Sequence, residues 1–201
     1  MRKLMMWLVL LISVPLLTGT VAKKEMPSTF YVYLDRGAKE NHFIASGWMG
    51  DYGDLKLNPG YFLDASDKTK TCIKITYSAE RKQSAGWAGI YWQTPANNWG
   101  DKKGGFNLSQ YSKLAFKVKG DKGGEYIDKF IVGGITGQAE EGDSDNTETE
   151  PVELKPDWQE ISIPLKGLDM NYIIGGFGFA INADMNEKGA AFYLDDIRFV
   201  K

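Results

Sequence analysis

The 201-residue chain has one cysteine, Cys72, and one histidine, His42. A lone cysteine cannot close an internal disulfide, so an exported domain made from this chain depends on its core, with a metal as the available supplement. Cys72 itself reads as a small buried residue of a strand. One histidine excludes a histidine-clustered metal centre, and a Ser-His-Asp triad would have to use His42. That residue lies in Asn41-His42-Phe43 and no Gly-x-Ser-x-Gly elbow is present, so it reads as a satisfied structural residue. An excess of one charge is also missing: 24 basic residues face 26 acidic ones, and nothing attracts nucleic acid. Helical periodicity is absent apart from a turn near Leu108 to Leu114.

The long apolar run lies at the amino terminus. Met1-Arg2-Lys3 is a short positive region, Leu4 to Leu17 is apolar apart from Ser13 and Pro15, and Thr20-Val21-Ala22 offers a small-residue cleavage site before Lys23. Residues 1–22 are therefore expected to be a secretion signal; the run is short for a membrane span and Pro15 would interrupt one. No cysteine follows it to accept a lipid. Cleavage leaves 179 residues with 22 basic against 26 acidic groups, enough for one domain over 23–201. The expected product is a soluble monomer in a bacterial periplasm or exterior, with no membrane span after signal removal.

The body of the chain has strand period. Ile161, Ile163 and Leu165 share one face, as do Leu114, Phe116 and Val118, and Ile73, Ile75 and Tyr77. Further strands are expected at 30–35, 86–93, 126–136, 172–182 and 190–200, separated by turn segments such as Asn58-Pro59-Gly60, Lys102-Lys103-Gly104-Gly105 and Gly120 to Gly124. Roughly eight or nine strands without helices predict an all-β fold, a two-sheet antiparallel β-sandwich of jelly-roll type, with a closed barrel as the alternative.

Between Gly86 and Gly100 the sequence GWAGIYWQTPANNWG sets Trp87, Tyr91, Trp92 and Trp99 among glycines and amides. Partly positive axial C–H groups of a sugar ring stack on an indole or phenol face, and Asn or Gln can both donate to and accept from hydroxyls. Alternation puts Trp87, Gly89, Tyr91 and Gln93 on one strand face and Ala88, Ile90 and Trp92 on the other. Trp87 and Tyr91 are thus expected to be stacking platforms, Gln93 a hydroxyl partner, Trp92 core, and Asn97, Asn98 and Trp99 a rim loop. Glycines at 133, 134, 137, 175, 176 and 178 could clear a groove or only curve the sheet. Asp51 and Asp54, near Trp48 and Tyr52, could accept from sugar hydroxyls or close an ordinary Asp/Gly turn, with Asp64 the third acid of that region.

The ending Ala191-Phe192-Tyr193-Leu194-Asp195-Asp196-Ile197-Arg198-Phe199-Val200, preceded by the Trp158–Leu165 strand and a glycine-rich strand, resembles the final third of jelly-roll carbohydrate-binding modules of the galactose-binding-like superfamily, such as those of families 4, 11 and 22. Ser46 to Asp51 and Trp92 to Gly100 resemble them more loosely. The resemblance implies a noncatalytic sandwich that binds a polysaccharide or oligosaccharide. It also implies a structural calcium, for which Asp35 and Asp195 or Asp196 occupy the matching places, and which needs roughly six to eight oxygen ligands, backbone carbonyls among them. Such modules are commonly appended to an enzyme; here the module is expected to follow the signal directly and act without one. The stretch Glu140 to Glu150, with six carboxylates and no base, fails the helix-loop-helix calcium pattern and reads as a solvated loop. The function expected is a secreted binder of a polysaccharide, glucan-type favoured. The alternatives are a protein-interaction or surface-assembly domain using the same aromatics, or a hydrolase with two carboxylates about 5 to 9.5 Å apart, or a lyase built on His42.

Overall fold

A computed structural model describes residues 27–62, 66, 69–136 and 141–201; the expected signal at 1–22 and Asp64 lie outside them. Among the described residues there are thirteen strands: β1 Thr29–Tyr33, β2 Ile44–Gly50, β3 Leu55–Tyr61, β4 Cys72–Tyr77, β5 Trp87–Gln93, β6 Lys113–Gly120, β7 Tyr126–Ile127, β8 Lys129–Gly133, β9 Asn146–Glu148, β10 Val152–Glu153, β11 Gln159–Pro164, β12 Gly175–Asn182 and β13 Ala190–Val200. One sheet runs β11-β6-β13-β4-β3, with β1 also paired to β13. The facing sheet runs β2-β5-β12-β8-β9, and β10-β7 form a separate pair. Every pairing is antiparallel, as the jelly-roll sandwich requires.

The alternating residues do what their period dictates. Ile73, Ile75 and Tyr77 of β4 and Leu114, Phe116 and Val118 of β6 meet Ala88, Ile90 and Trp92 of β5 and Phe177, Phe179 and Ile181 of β12 in one core. Phe177 is its hub, with ring centroids 5.1 Å from Phe116, 5.3 Å from Trp92 and 5.9 Å from Phe130. Burying each such ring contributes about 2 to 3 kcal/mol. That is how a chain with one thiol holds together: Cys72 is buried, and burial, with the Asp195 charge adding, pushes its thiol up to about 12, far from reactive. His42 stacks on Phe30 at 3.8 Å with Nδ1 3.1 Å from the Tyr31 carbonyl, a packed structural residue.

Three departures from the sequence reading have local causes. Asn58-Pro59-Gly60 is not a separator; it lies inside β3, where the register slips between Asn58 and Tyr61. An edge strand with a bulge tolerates a proline that a central strand would not. The expected strand 126–136 divides into β7, paired with β10, and β8, paired with β12. The acidic stretch is not all solvated loop: Asn146–Glu148 is the edge strand β9, and Asp143 is buried.

Candidate functional site

The exposed face of the β2-β5-β12-β8-β9 sheet is organised in rows that run across the strands. Met49 of β2 is paired with Gly89, Gly89 with Ala180, and Ala180 with Lys129. Paired residues point to one face, so the middle of this row presents a hydrogen and a methyl. On β5 the row is flanked by Trp87 on one side and Tyr91 on the other, each about 7 Å along the strand. The result is a trough of about 380 Å³ between Trp87, Tyr91, Trp99, Lys129 and the Ile135-Thr136 segment.

Tyr91 forms the floor. Its row continues Gly47-Tyr91-Gly178-Ile131-Glu148. The ring lies over Gly178, where a Cβ would stand 2.8 Å from Tyr91 Cδ1, and the hydroxyl donates to the Gly133 carbonyl at 3.0 Å. Glycine at 178 is thus the space the phenol occupies, and Gly176 does the same on the core side for Phe43, whose ring a Cβ would approach to 2.5 Å. Burial first, then the Asp143 and Glu148 charges, raise the Tyr91 phenol, which stays a neutral donor.

Trp87 and Trp99 are 38% and 41% exposed, and Trp99 stands edge-on to Tyr91, 6.3 Å between centroids at 89°. On the other side of Trp99 a second depression of about 510 Å³ is bounded by Ser46, Trp48, Tyr52 and Asn97. Trp48 and Tyr52 are exposed, as is the Asn97 side chain. Trp92 is in the core. The structure thus brings Trp87, Tyr91 and Trp99 to one trough and Trp48, Tyr52 and Asn97 to its neighbour, with Trp99 as the ridge between them.

Three of the polar residues expected at a ligand surface are inside instead. Gln93 and Asn98 are fully buried. Ser46 Oγ donates to Gln93 Oε1 at 2.9 Å, Gln93 Nε2 donates to the Asn98 carbonyl at 2.8 Å, and the Asn97 N–H donates back to Ser46 Oγ at 2.9 Å. Asn98 Nδ2 donates to the Thr94 and Lys102 carbonyls while its Oδ1 accepts from the Gly100 and Lys102 N–H groups. These amides tie the Trp99 loop to the sheet: Asn98 spends both donors and both acceptor positions on it, and Gln93, also fully buried, is out of reach of a sugar.

Asp51 is the third. It is fully buried and accepts from the N–H groups of Gln83, Ala85 and Gly86 at 2.7, 3.0 and 2.6 Å, while its own N–H donates to the Trp87 carbonyl at 2.7 Å. It positions the entry to β5, and hence Trp87. Asp54 does related work, accepting from Ser78 Oγ and the Arg81 N–H. Desolvation pulls the Asp51 carboxyl upward, but the three N–H donors and Arg81 outweigh it and hold the group below its ordinary 3.8. A depressed folded value means stability that is present above pH 3.8 and lost as pH falls through the folded value. In acid titration followed by melting temperature, Asp51→Asn is expected to lower stability at neutral pH and to flatten the fall below pH about 4; an unchanged acid limb would deny Asp51 this role.

The carboxylates expected to hold calcium, Asp35, Asp195 and Asp196, are each already hydrogen-bonded or ion-paired within the chain. Among the described residues no three His, Cys, Asp or Glu side chains come together as a metal group. Asp196 Oδ2 lies 2.7 Å from Arg198 Nη1 and 3.5 Å from Lys117 Nζ, so two cations already neutralise it. Asp35 Oδ1 accepts from the N–H and hydroxyl of Thr71, and Asp195 Oδ1 accepts from the Asp196 N–H. Asp195 is pushed up to about 6, first by burial, with the Asp196 and Asp35 charges adding to it. With Asp196 taken by two cations, Asp35 and Asp195 are the carboxylates left for a calcium, and backbone carbonyls would have to supply most of its roughly six to eight oxygens.

Residues that sequence reasoning missed also border the trough. Lys129 ends the small-residue row and is paired with Glu148 at 2.8 Å. Asp143 holds one wall: Oδ1 accepts from the Ile174 and Gly175 N–H groups at 2.6 and 3.0 Å, and Oδ2 from the Ile135 N–H at 2.8 Å. Burial pushes its carboxyl up against the pull of those three donors. Nothing in an acidic stretch marks the one carboxylate that turns inward.

Among the described residues no helix is long and apolar enough to cross a membrane. None of the curated proteins matches the chain. The chain is similar to a solved family 30 carbohydrate-binding module, with a TM-score of 0.56 at 16% identity, covering 86% of this chain and 98% of that one. It is similar too to the family 30 module of a cellulosomal cellulase of Clostridium thermocellum (TM-score 0.53, 17% identity, 86% and 97% covered). The family 11 module of another cellulosomal cellulase of that organism gives a TM-score of 0.52 at 17% identity, with 78% and 88% covered. The family model described as carbohydrate binding domain 30 matches residues 41–201, and with the sandwich and its aromatic-lined face it establishes that the chain belongs to this family of noncatalytic carbohydrate-binding modules.

Proposed function

We propose that this protein is an exported binder of a glucan-type polysaccharide, which lies in the trough across β5, β12 and β8. The observation that carries the reading is the pair of exposed indoles, Trp87 and Trp99, standing over a floor of Tyr91, Gly89 and Ala180. Small residues in the middle of the sheet let a sugar ring approach the backbone while the aromatic faces take its C–H groups. The depression of Trp48, Tyr52 and Asn97 extends the same surface beyond the Trp99 ridge. The leader-like residues 1–22 support export to a bacterial periplasm or exterior. Glucan comes first because two of the similar modules belong to cellulosomal cellulases.

Affinity electrophoresis of residues 23–201 against soluble β-glucan, xylan and mannan, with pull-down on insoluble polysaccharide, tests the reading. Retardation by glucan, reversed by its soluble oligosaccharide, is the expected result. A folded protein that no polysaccharide retards would turn the aromatic face into a protein-docking surface.

A further inference from the structure

The trough is apolar at one end and charged at the other. Its row of small residues begins at Met49 and ends at Lys129, which lines the trough opposite the indoles. Glu148, on the neighbouring strand β9, is paired with Ile131, and its Oε2 accepts from Lys129 Nζ at 2.8 Å. Both side chains stay accessible, 39% and 50% exposed, so the pair can turn toward a ligand at little cost. An ammonium holds two further donors and a carboxylate further acceptor positions, which side by side match two adjacent sugar hydroxyls, each able to donate and to accept. The segment that carries Glu148 also bears Glu141, Asp143 and Asp145 with no basic residue between positions 141 and 148, so a negative field covers that end. A sugar carboxylate entering there meets Glu148 and a lysine already neutralised.

We propose that the Lys129–Glu148 pair is the specificity-determining end of the trough, hydrogen-bonding adjacent hydroxyls of a neutral sugar and rejecting chains that carry carboxylates. The assignment rests on the reading of the trough as the glycan site. It is tested with Glu148→Gln and Lys129→Met in residues 23–201, using soluble β-glucan and polygalacturonate as the two probes. Each substitution is expected to weaken glucan binding by about 3- to 10-fold, with melting temperature unchanged because both side chains are exposed. Glu148→Gln alone frees the lysine charge, so it alone is expected to gain binding to polygalacturonate, and that binding should fall as salt rises. A purely structural pair would not produce the gain. Wild-type protein that binds polygalacturonate as tightly as glucan would overturn the assignment. So would glucan binding that disappears in Trp87→Ala yet ignores both substitutions at the pair. Wild-type protein that binds neither polymer would overturn the glycan reading of the trough, and the pair with it.

Discussion

Trp87→Ala is expected to weaken glucan binding by roughly 30-fold or more, about 2 kcal/mol, while the melting temperature moves by no more than a few degrees. The two halves of this expectation come from the same geometry. More than a third of Trp87 is exposed at the start of β5, so truncation removes a stacking face from the trough and little from the core. The backbone around it is held independently, since Asp51 bonds the N–H groups of Gly86 and Ala85 and donates to the Trp87 carbonyl. Trp87→Phe should keep part of the affinity, because a smaller ring still offers a face. Calorimetry beside thermal melting separates the cases. Equal affinity in wild type and Trp87→Ala would remove Trp87 from the site, and a matching collapse of stability would make it a core residue.

Asp143→Ala is expected to act in the opposite sense, on folding before binding. Three buried N–H groups, of Ile135, Ile174 and Gly175, lose their acceptor at once. Leaving a buried donor unpaired costs about 1 to 3 kcal/mol, and with water entering to meet some of them the sum is about 3 kcal/mol. For a domain of this size that corresponds to a fall in melting temperature of roughly 6 to 12 °C. Ile135 and Thr136 form the wall of the trough, so glucan affinity should drop with it. Asp143→Asn keeps one acceptor oxygen and turns an amide N–H₂ toward a donor, which predicts an intermediate loss. A melting temperature for Asp143→Ala within about 2 °C of wild type would show that the wall stands without this carboxylate.

The two residues also mark where sequence legibility stops. Trp87 and Tyr91 fall on the face opposite Trp92 because a strand alternates, and that parity is written in the order of residues. The core strands β4, β6 and β11 were legible for the same reason. β2 was not, because Ile44–Gly50 mixes Gly47, Gly50 and an extra residue between Ala45 and Gly47, which destroys the alternation. Asp143 could not be read because its burial is compensated by backbone N–H groups that no side-chain pattern displays. Gln93 and Asn98 have the chemistry of sugar partners, but an amide satisfies a backbone as readily as a hydroxyl, and only the folded loop decides which. The family resemblance reached the sandwich through its last strand, yet Asp196 there faces Arg198 and Lys117.

The loop that carries Trp99 separates the residues that hold from the residues that touch. Ser46, Gln93 and Asn98 fasten it from below, and all three are buried. Asn97 and Trp99 ride on top, exposed to whatever enters either side of the ridge. Such a loop is a cassette: Trp99 can be exchanged freely and Asn97, at φ +54°, for the few residues that tolerate a left-handed backbone, while the fastening beneath them stays fixed, so the preference of this face for one polymer over another can evolve without disturbing the sandwich that displays it.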